Sequence, residues 1–217
     1  MTVRVLLADD QALVRAGFKI LVDTAADLEV VGEAADGREA IKLAEALEPD
    51  VVLMDVRMPD VDGLAATRQI TATLPRTKVL ILTTFEIDEY IFAALRAGAS
   101  GFLGKGVEPR EVQDAIRLVA RGDALLSQSA TRALIGRFLD GPAEVPVQSL
   151  AELTDREREA LRLVAGGLSN DDIADRMRIS PYTVKTHLNR AMAKLGAHDR
   201  AQLVIVAYET GLVRPGL

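Results

Sequence analysis

No cysteine occurs among the 217 residues, which removes disulfides, thiolate metal sites and cysteine nucleophiles together. Histidine is nearly as scarce: with only His187 and His198 present, no imidazole metal site is expected. No apolar run approaches the roughly 20 residues of a membrane span. The acidic pair Asp9-Asp10 comes too early for a signal peptide, so a cytoplasmic protein with no membrane partner is the expectation. Internal repeats and low-complexity tracts are missing as well. Basic residues are in deficit, the net charge being −6, which argues against indiscriminate nucleic-acid binding. The deficit is uneven. Residues 1–148 hold 16 basic and 23 acidic side chains, whereas 149–217 hold 10 and 9. Within 180–200 only Asp199 opposes Lys185, Arg190, Lys194 and Arg200.

What is present is ordinary for a globular chain: 49% hydrophobic and 27% charged residues, enough for one or two domains with their own cores. Apolar runs at 3–8, 28–32, 51–55, 78–82 and 101–103 predict strands. Between and after them, helical spacing recurs at about 13–21, 38–47, 63–74, 87–97 and 109–120. Five βα units with short connections predict an α/β, flavodoxin-like, doubly wound (βα)5 domain over 1–122. Ser127 to Leu139 reads as one further helix. Two prolines and a glycine in 141–146 then read as a semi-stiff linker, which makes 123–148 a connecting segment. From 149 to 217 strands disappear. Thr154 with Glu157 forms a capping box, and Ser169, Ser180 before Pro181, and Asp199 are N-caps for three more helices. A small all-α domain of four helices is expected, its second and third laid out as a helix-turn-helix.

Val51-Val52-Leu53-Met54-Asp55 organises the first domain. Apolar on both faces, it suits the centre of a parallel sheet, with Asp55 at the carboxyl end where such sheets bind ligands. Alone, Asp55 would do no more than solvate the strand end. If the strands are parallel, however, Asp9, Asp10, Asp55, Thr83 and Lys105 converge on one edge. Three close carboxylates repel one another unless a cation sits among them, and Mg2+ suits oxygen donors of this kind. Lys105 and the Thr83 hydroxyl could then hold a phosphoryl group on Asp55. These five residues, in this order and spacing, resemble the receiver domain of bacterial two-component response regulators. Met58-Pro59, Gly63 and Phe102, on the aromatic switch position, extend the resemblance. It implies that Asp10, Asp55 and the Arg57 carbonyl ligate Mg2+, with Asp9 acting through water. One departure is that Gly104 and Gly106 flank Lys105, which predicts a looser loop there.

In the second domain the predicted third helix places Val184, Leu188, Ala191 and Leu195 on one face and Lys185, Thr186, Asn189 and Arg190 on the other. Leu153 to Glu157, Gly167 to Asn170, Ile173-Ala174, Thr183 to His187, Lys194 to Gly196 and Asp199 to Ala201 resemble the LuxR-type DNA-binding domain. The resemblance implies DNA contacts from Thr183, Lys185, Thr186, His187, Asn189, Arg190 and Lys194, with His187 a backbone contact or a structural residue. Arg190, Lys194 and Arg200 suit phosphates. Together the halves resemble a NarL/FixJ-type response regulator. That implies a transcription factor, not an enzyme, with three partners: a sensor histidine kinase that phosphorylates Asp55, double-stranded operator DNA, and a second copy in a phosphorylation-driven homodimer. Leu203, Val204 and Ala207 form an apolar stripe that would serve that dimer or close the domain's own core. One alternative is a phosphotransferase or phosphatase with Asp55 as nucleophile, disfavoured because Arg57 stands where such enzymes carry a second acid. The other is a phosphorylation-independent transcription factor that uses its receiver as a dimerisation scaffold.

Overall fold

The computed structural model describes residues 2–83, 93–122 and 150–213. The chain divides into two compact units, Met1–Ser127 and Gln128–Leu217.

The first unit alternates β1 (Val3–Ala8), α1 (Ala12–Asp23), β2 (Leu28–Ala34), α2 (Gly37–Leu47), β3 (Val51–Asp55), α3 (Gly63–Thr73), β4 (Lys78–Thr83), β5 (Gly101–Gly104) and α4 (Pro109–Ala120). Residues 93–96 are helical; the rest of the helix expected at 87–97, the 127–139 helix and the 141–146 linker lie outside the described residues, apart from 97, which follows in a turn. All strands pair in parallel in the order β2-β1-β3-β4-β5. β2 runs two residues beyond the expected Gly32, because Leu7 and Ala8 offer it partners in Glu33 and Ala34.

Side chains alternate across a strand, so each apolar run supplies two faces. Val5, Leu7, Val51, Leu53, Leu80 and Leu82 pack with Phe18 and Val22 of α1 and Val112, Ile116 and Val119 of α4. The buried Leu6, Val52, Met54 and Ile81 point the other way, towards the side carrying Ala40, Ile41 and Ala44 of α2 and Ala66 and Ile70 of α3. Full burial of each such leucine or isoleucine contributes about 1.5–3 kcal/mol. The two faces together explain why β3 tolerates no polar residue before Asp55. Local signals start the helices: Asp36 accepts from the Glu39 N–H and Asp62 from the Ala65 N–H. Pro109 occupies the first turn of α4.

The second unit contains a short 3-10 turn at Leu150–Glu152, then α5 (Asp155–Ala165), α6 (Asn170–Met177), α7 (Pro181–Leu195) and α8 (Arg200–Glu209). Every expected N-cap forms. Thr154 and Glu157 exchange capping-box hydrogen bonds, as do Ser169 and Asp172. Ser180 accepts from the Thr183 N–H, and Asp199 from the Gln202 N–H. Between α6 and α7 the chain reverses at Arg178, whose φ of 54° lies in the left-handed region. Ile173 and Met177, Val184, Leu188 and Ala191, Leu161 and Val164, and Leu203 and Val204 are all buried.

Candidate functional site

The strand order reverses beside β1, whose neighbours are β2 and β3, and the crevice at such a switch point is where doubly wound sheets bind ligands. Asp9 and Asp10 follow β1 there and Asp55 ends β3. One oxygen from each carboxylate falls within 4.8 Å of the others; Asp9 and Asp55 are buried and Asp10 is exposed. The Lys105 ammonium lies between the two buried acids, 2.6 Å from Asp9 Oδ2 and 3.1 Å from Asp55 Oδ1.

The backbone holds this arrangement. The Gln11 N–H donates to Asp9 Oδ1 at 2.9 Å and Arg15 Nη1 to the Asp9 carbonyl at 2.6 Å. Asp55 Oδ1 also accepts from the Val56 N–H at 2.9 Å. Gly63 N–H binds the Val56 carbonyl, and a Cβ at Gly63 would stand 1.8 Å from the Asp55 carbonyl oxygen. That close approach is why this position needs glycine. Thr83 ends β4, is buried, and pairs across to Gly104; its carbonyl accepts from the Lys105 N–H at 2.7 Å. Phe102 is buried opposite Ile81. Arg57 is exposed just past the strand.

The backbone at Gly104 and Gly106 does not itself require glycine. Neither has a positive φ, a Cβ at Gly104 would meet Val107 at an ordinary 3.7 Å, and one at Gly106 would meet nothing within 4 Å. Lys105 is tied at both ends, by its N–H and by its ammonium.

Burial raises the Asp55 carboxyl above the ordinary aspartate range; Lys105 opposes this, and the Asp9 charge reinforces it. Three carboxyl groups face a single ammonium, a surplus of acid that complements a divalent cation. The donors are all hard oxygens, so the residues present fit Mg2+.

The second candidate site is the outer face of α7. Lys185, Asn189 and Arg190 are exposed, and Thr183, Thr186 and His187 partly so. Val184, Leu188 and Ala191 are buried beneath them, while Leu195 is only half-buried at the helix end. Thr186 donates its hydroxyl to the Tyr182 carbonyl at 3.0 Å. Lys194 and Arg200 both have partners within the domain. The Lys194 ammonium lies 2.6 Å from Oε2 of Glu157, whose side chain is 3% exposed. Arg200 donates to Asn170 Oδ1 and to the Leu168 carbonyl. Both cations tie helices of the domain together. Leu203, Val204 and Ala207 are fully or almost fully buried, so this stripe closes the domain's own core and offers no dimer surface. Tyr182, which the sequence pattern did not single out, is 82% exposed on the same helix. Its signal was available: an aromatic residue directly after the Ser180-Pro181 cap.

Residues 5–117 match the response regulator receiver domain family, and residues 151–207 match the family described as bacterial regulatory proteins, luxR family. The transcriptional regulatory protein YxjL of Bacillus subtilis (strain 168) is 45% identical over 213 residues, covering 98% of each chain. The response regulator protein VraR of Staphylococcus aureus is 39% identical over 214 residues, 99% of this chain and all of that one. Among solved structures, response regulator ChrA of a heme-sensing two-component system is 35% identical over 98% of this chain and 99% of its own, with a TM-score of 0.53. RcsB of Salmonella typhimurium is 26% identical over 94% and 97%, with a TM-score of 0.56. With both matches in order along one chain, the protein belongs to the two-component response regulators that join a receiver domain to a LuxR-type DNA-binding domain.

Proposed function

We propose that Asp55 accepts a phosphoryl group from a sensor histidine kinase and that this controls DNA binding by α7. The observation that carries the first half is the Asp9, Asp10, Asp55 cluster with Lys105 shared between its two buried members. In the transfer, the Asp55 oxygen not held by Val56 attacks phosphorus as the bond from phosphorus to the kinase histidine nitrogen breaks. Asp10, Asp55 and the Arg57 carbonyl would hold Mg2+, with Asp9 acting through water, and the ion would supply positive charge to the phosphoryl oxygens. Lys105 supplies a fixed positive charge beside the nucleophile. Phosphorylation exchanges the single Asp55 charge for a phosphoryl group of about −1.5 to −2, which draws Lys105 and the Thr83 hydroxyl towards it. Phe102, adjacent in β5, follows Thr83 as the second half of the switch, and the receiver then favours a homodimer. The protein acts as an acceptor that assists its own phosphorylation rather than as an enzyme on a separate substrate. No described helix is long and apolar enough to cross a membrane, in keeping with work in the cytoplasm on operator DNA.

Labelled acetyl phosphate tests this directly. Uptake should require Mg2+, vanish in Asp55→Asn, and shift sedimentation from monomer to dimer at micromolar concentration. Undiminished label in Asp55→Asn would place the acceptor elsewhere.

A further inference from the structure

Among the buried apolar side chains of α7, Tyr182 is the exception. Val184, Leu188 and Ala191 are at most 5% exposed, whereas Tyr182 leaves 82% of its surface in water. It stands in the first turn, after Pro181, where a recognition helix meets base edges. Tyr182 and Asn189 are seven residues apart, close to two turns of about 3.6 residues, so they share one direction from the helix axis. Lys185 and Thr186, three and four residues on, flank that line. The ring therefore lies in the middle of the proposed reading face and not at its rim. The Thr186 hydroxyl closes onto the Tyr182 carbonyl, which fixes the first turn and leaves the tyrosine side chain itself uninvolved in the bond. Charge is also sparse here: Lys185 is the only ionic side chain from Ser180 to Asn189. An uncharged aromatic ring at the centre of such a face matches the one apolar group that the major groove displays, the thymine 5-methyl.

We infer that Tyr182 is a specificity-determining residue whose ring packs on a thymine methyl of the operator. This rests on α7 being the DNA-reading helix. The test uses the full-length phosphorylated protein and a duplex selected by it from a random pool, with each thymine replaced in turn by deoxyuridine, which lacks only the methyl. At one position the replacement should weaken wild-type binding about fourfold, the worth of one buried methyl group. Tyr182→Ala should lose about tenfold on the selected duplex and little on random DNA, and should no longer respond to deoxyuridine at that position. Tyr182→Phe should keep the methyl response, since the ring and not the hydroxyl makes the contact. With the side chain so exposed, both variants should unfold at the wild-type midpoint. Several results would overturn the inference while leaving DNA reading by α7 intact. These are a Tyr182→Ala variant that binds like wild type, one that still responds at every thymine, and a Tyr182→Phe variant as impaired as Tyr182→Ala, which would mean a phosphate hydrogen bond. If the wild-type protein selected no sequence at all, the reading of α7 would fall and this inference with it.

Discussion

Lys194→Met separates two roles that a single lysine in a DNA-binding domain could play. In the structure its ammonium is bound to Glu157, whose side chain is 3% exposed and which otherwise accepts from the Thr154 N–H. Removing one partner of a buried ion pair costs about 3–5 kcal/mol, because the other charge is left without compensation. Here the Lys194 side chain is 33% exposed and Glu157 keeps its capping bond, so screening reduces the expected loss to about 1–3 kcal/mol. The loss should carry a pH signature. Burial raises the Glu157 carboxyl, but the Lys194 and Thr154 hydrogen bonds outweigh it, and the net result lies below the ordinary glutamate range. A carboxylate lowered in the folded state stabilises above its unfolded titration range and loses that contribution as pH falls through its folded one. The difference between wild type and Lys194→Met should thus be full at neutral pH and shrink in acid. In a Glu157→Gln background, Lys194→Met should cost less than about 1 kcal/mol, since no buried charge is stranded. Urea titration read by hydrogen exchange in α5 and α7 peptides reports this domain separately from the receiver. If stability were unchanged and the salt dependence of DNA binding fell by about one unit instead, Lys194 would be a phosphate contact and the structural assignment would be refuted.

The remaining predictions are more local. Gly63→Ala forces a Cβ to within 1.8 Å of the Asp55 carbonyl oxygen and should destabilise the receiver by about 3 kcal/mol or more, with loss of phosphorylation; wild-type melting would refute the close approach. Gly104→Ala and Gly106→Ala, which meet neither a clash nor a positive φ, should each stabilise by about 0.4–1 kcal/mol and leave phosphoryl uptake intact. In metal-free buffer, Asp55→Asn should melt higher than wild type at neutral pH, because a carboxyl raised by burial favours the folded state only while protonated; the gap should close as pH falls. Asn189→Ala should cost roughly 1–3 kcal/mol on the operator and little on random DNA, whereas Arg190→Ala should weaken both alike and flatten the salt dependence. Equal losses on both DNAs for Asn189→Ala would remove it from the reading face.

Much of the molecule was legible because its signals are local or become local once the strands are parallel. Four caps, Thr154, Ser169, Ser180 and Asp199, each needed only the next three residues to be read, and each forms. The pocket needed one further step. Asp9, Asp55, Thr83 and Lys105 are far apart in sequence, yet each sits at the same end of its strand, so parallel pairing is sufficient to gather them. The family resemblance rests on the same residues. Strand ends were less visible: β2 extends past Gly32 because of its neighbour β1 and not because of its own composition.

What stayed hidden was the choice between equivalent partners. Lys185 and Lys194 are nine residues apart on one helix, and nothing in their immediate sequence distinguishes a lysine left in solvent from one paired within the domain. The distinction comes from α5, where the Glu157 that closes the capping box is buried against α7. A carboxylate placed there for a local reason creates a charge in the interior, and the nearest cation on the packed helix must answer it. The same logic applies to Arg200, whose donors meet Leu168 in the α5–α6 connection and Asn170 at the start of α6. It also settles the apolar stripe on α8, since Leu203 and Val204 are needed to cover the core that α5 and α7 leave open. Of the four cations between 180 and 200, the packing thus commits Lys194 and Arg200 to the domain. Lys185 and Arg190 stay exposed on the outer face of α7, where the proposed DNA contacts lie, together with Tyr182 and Asn189.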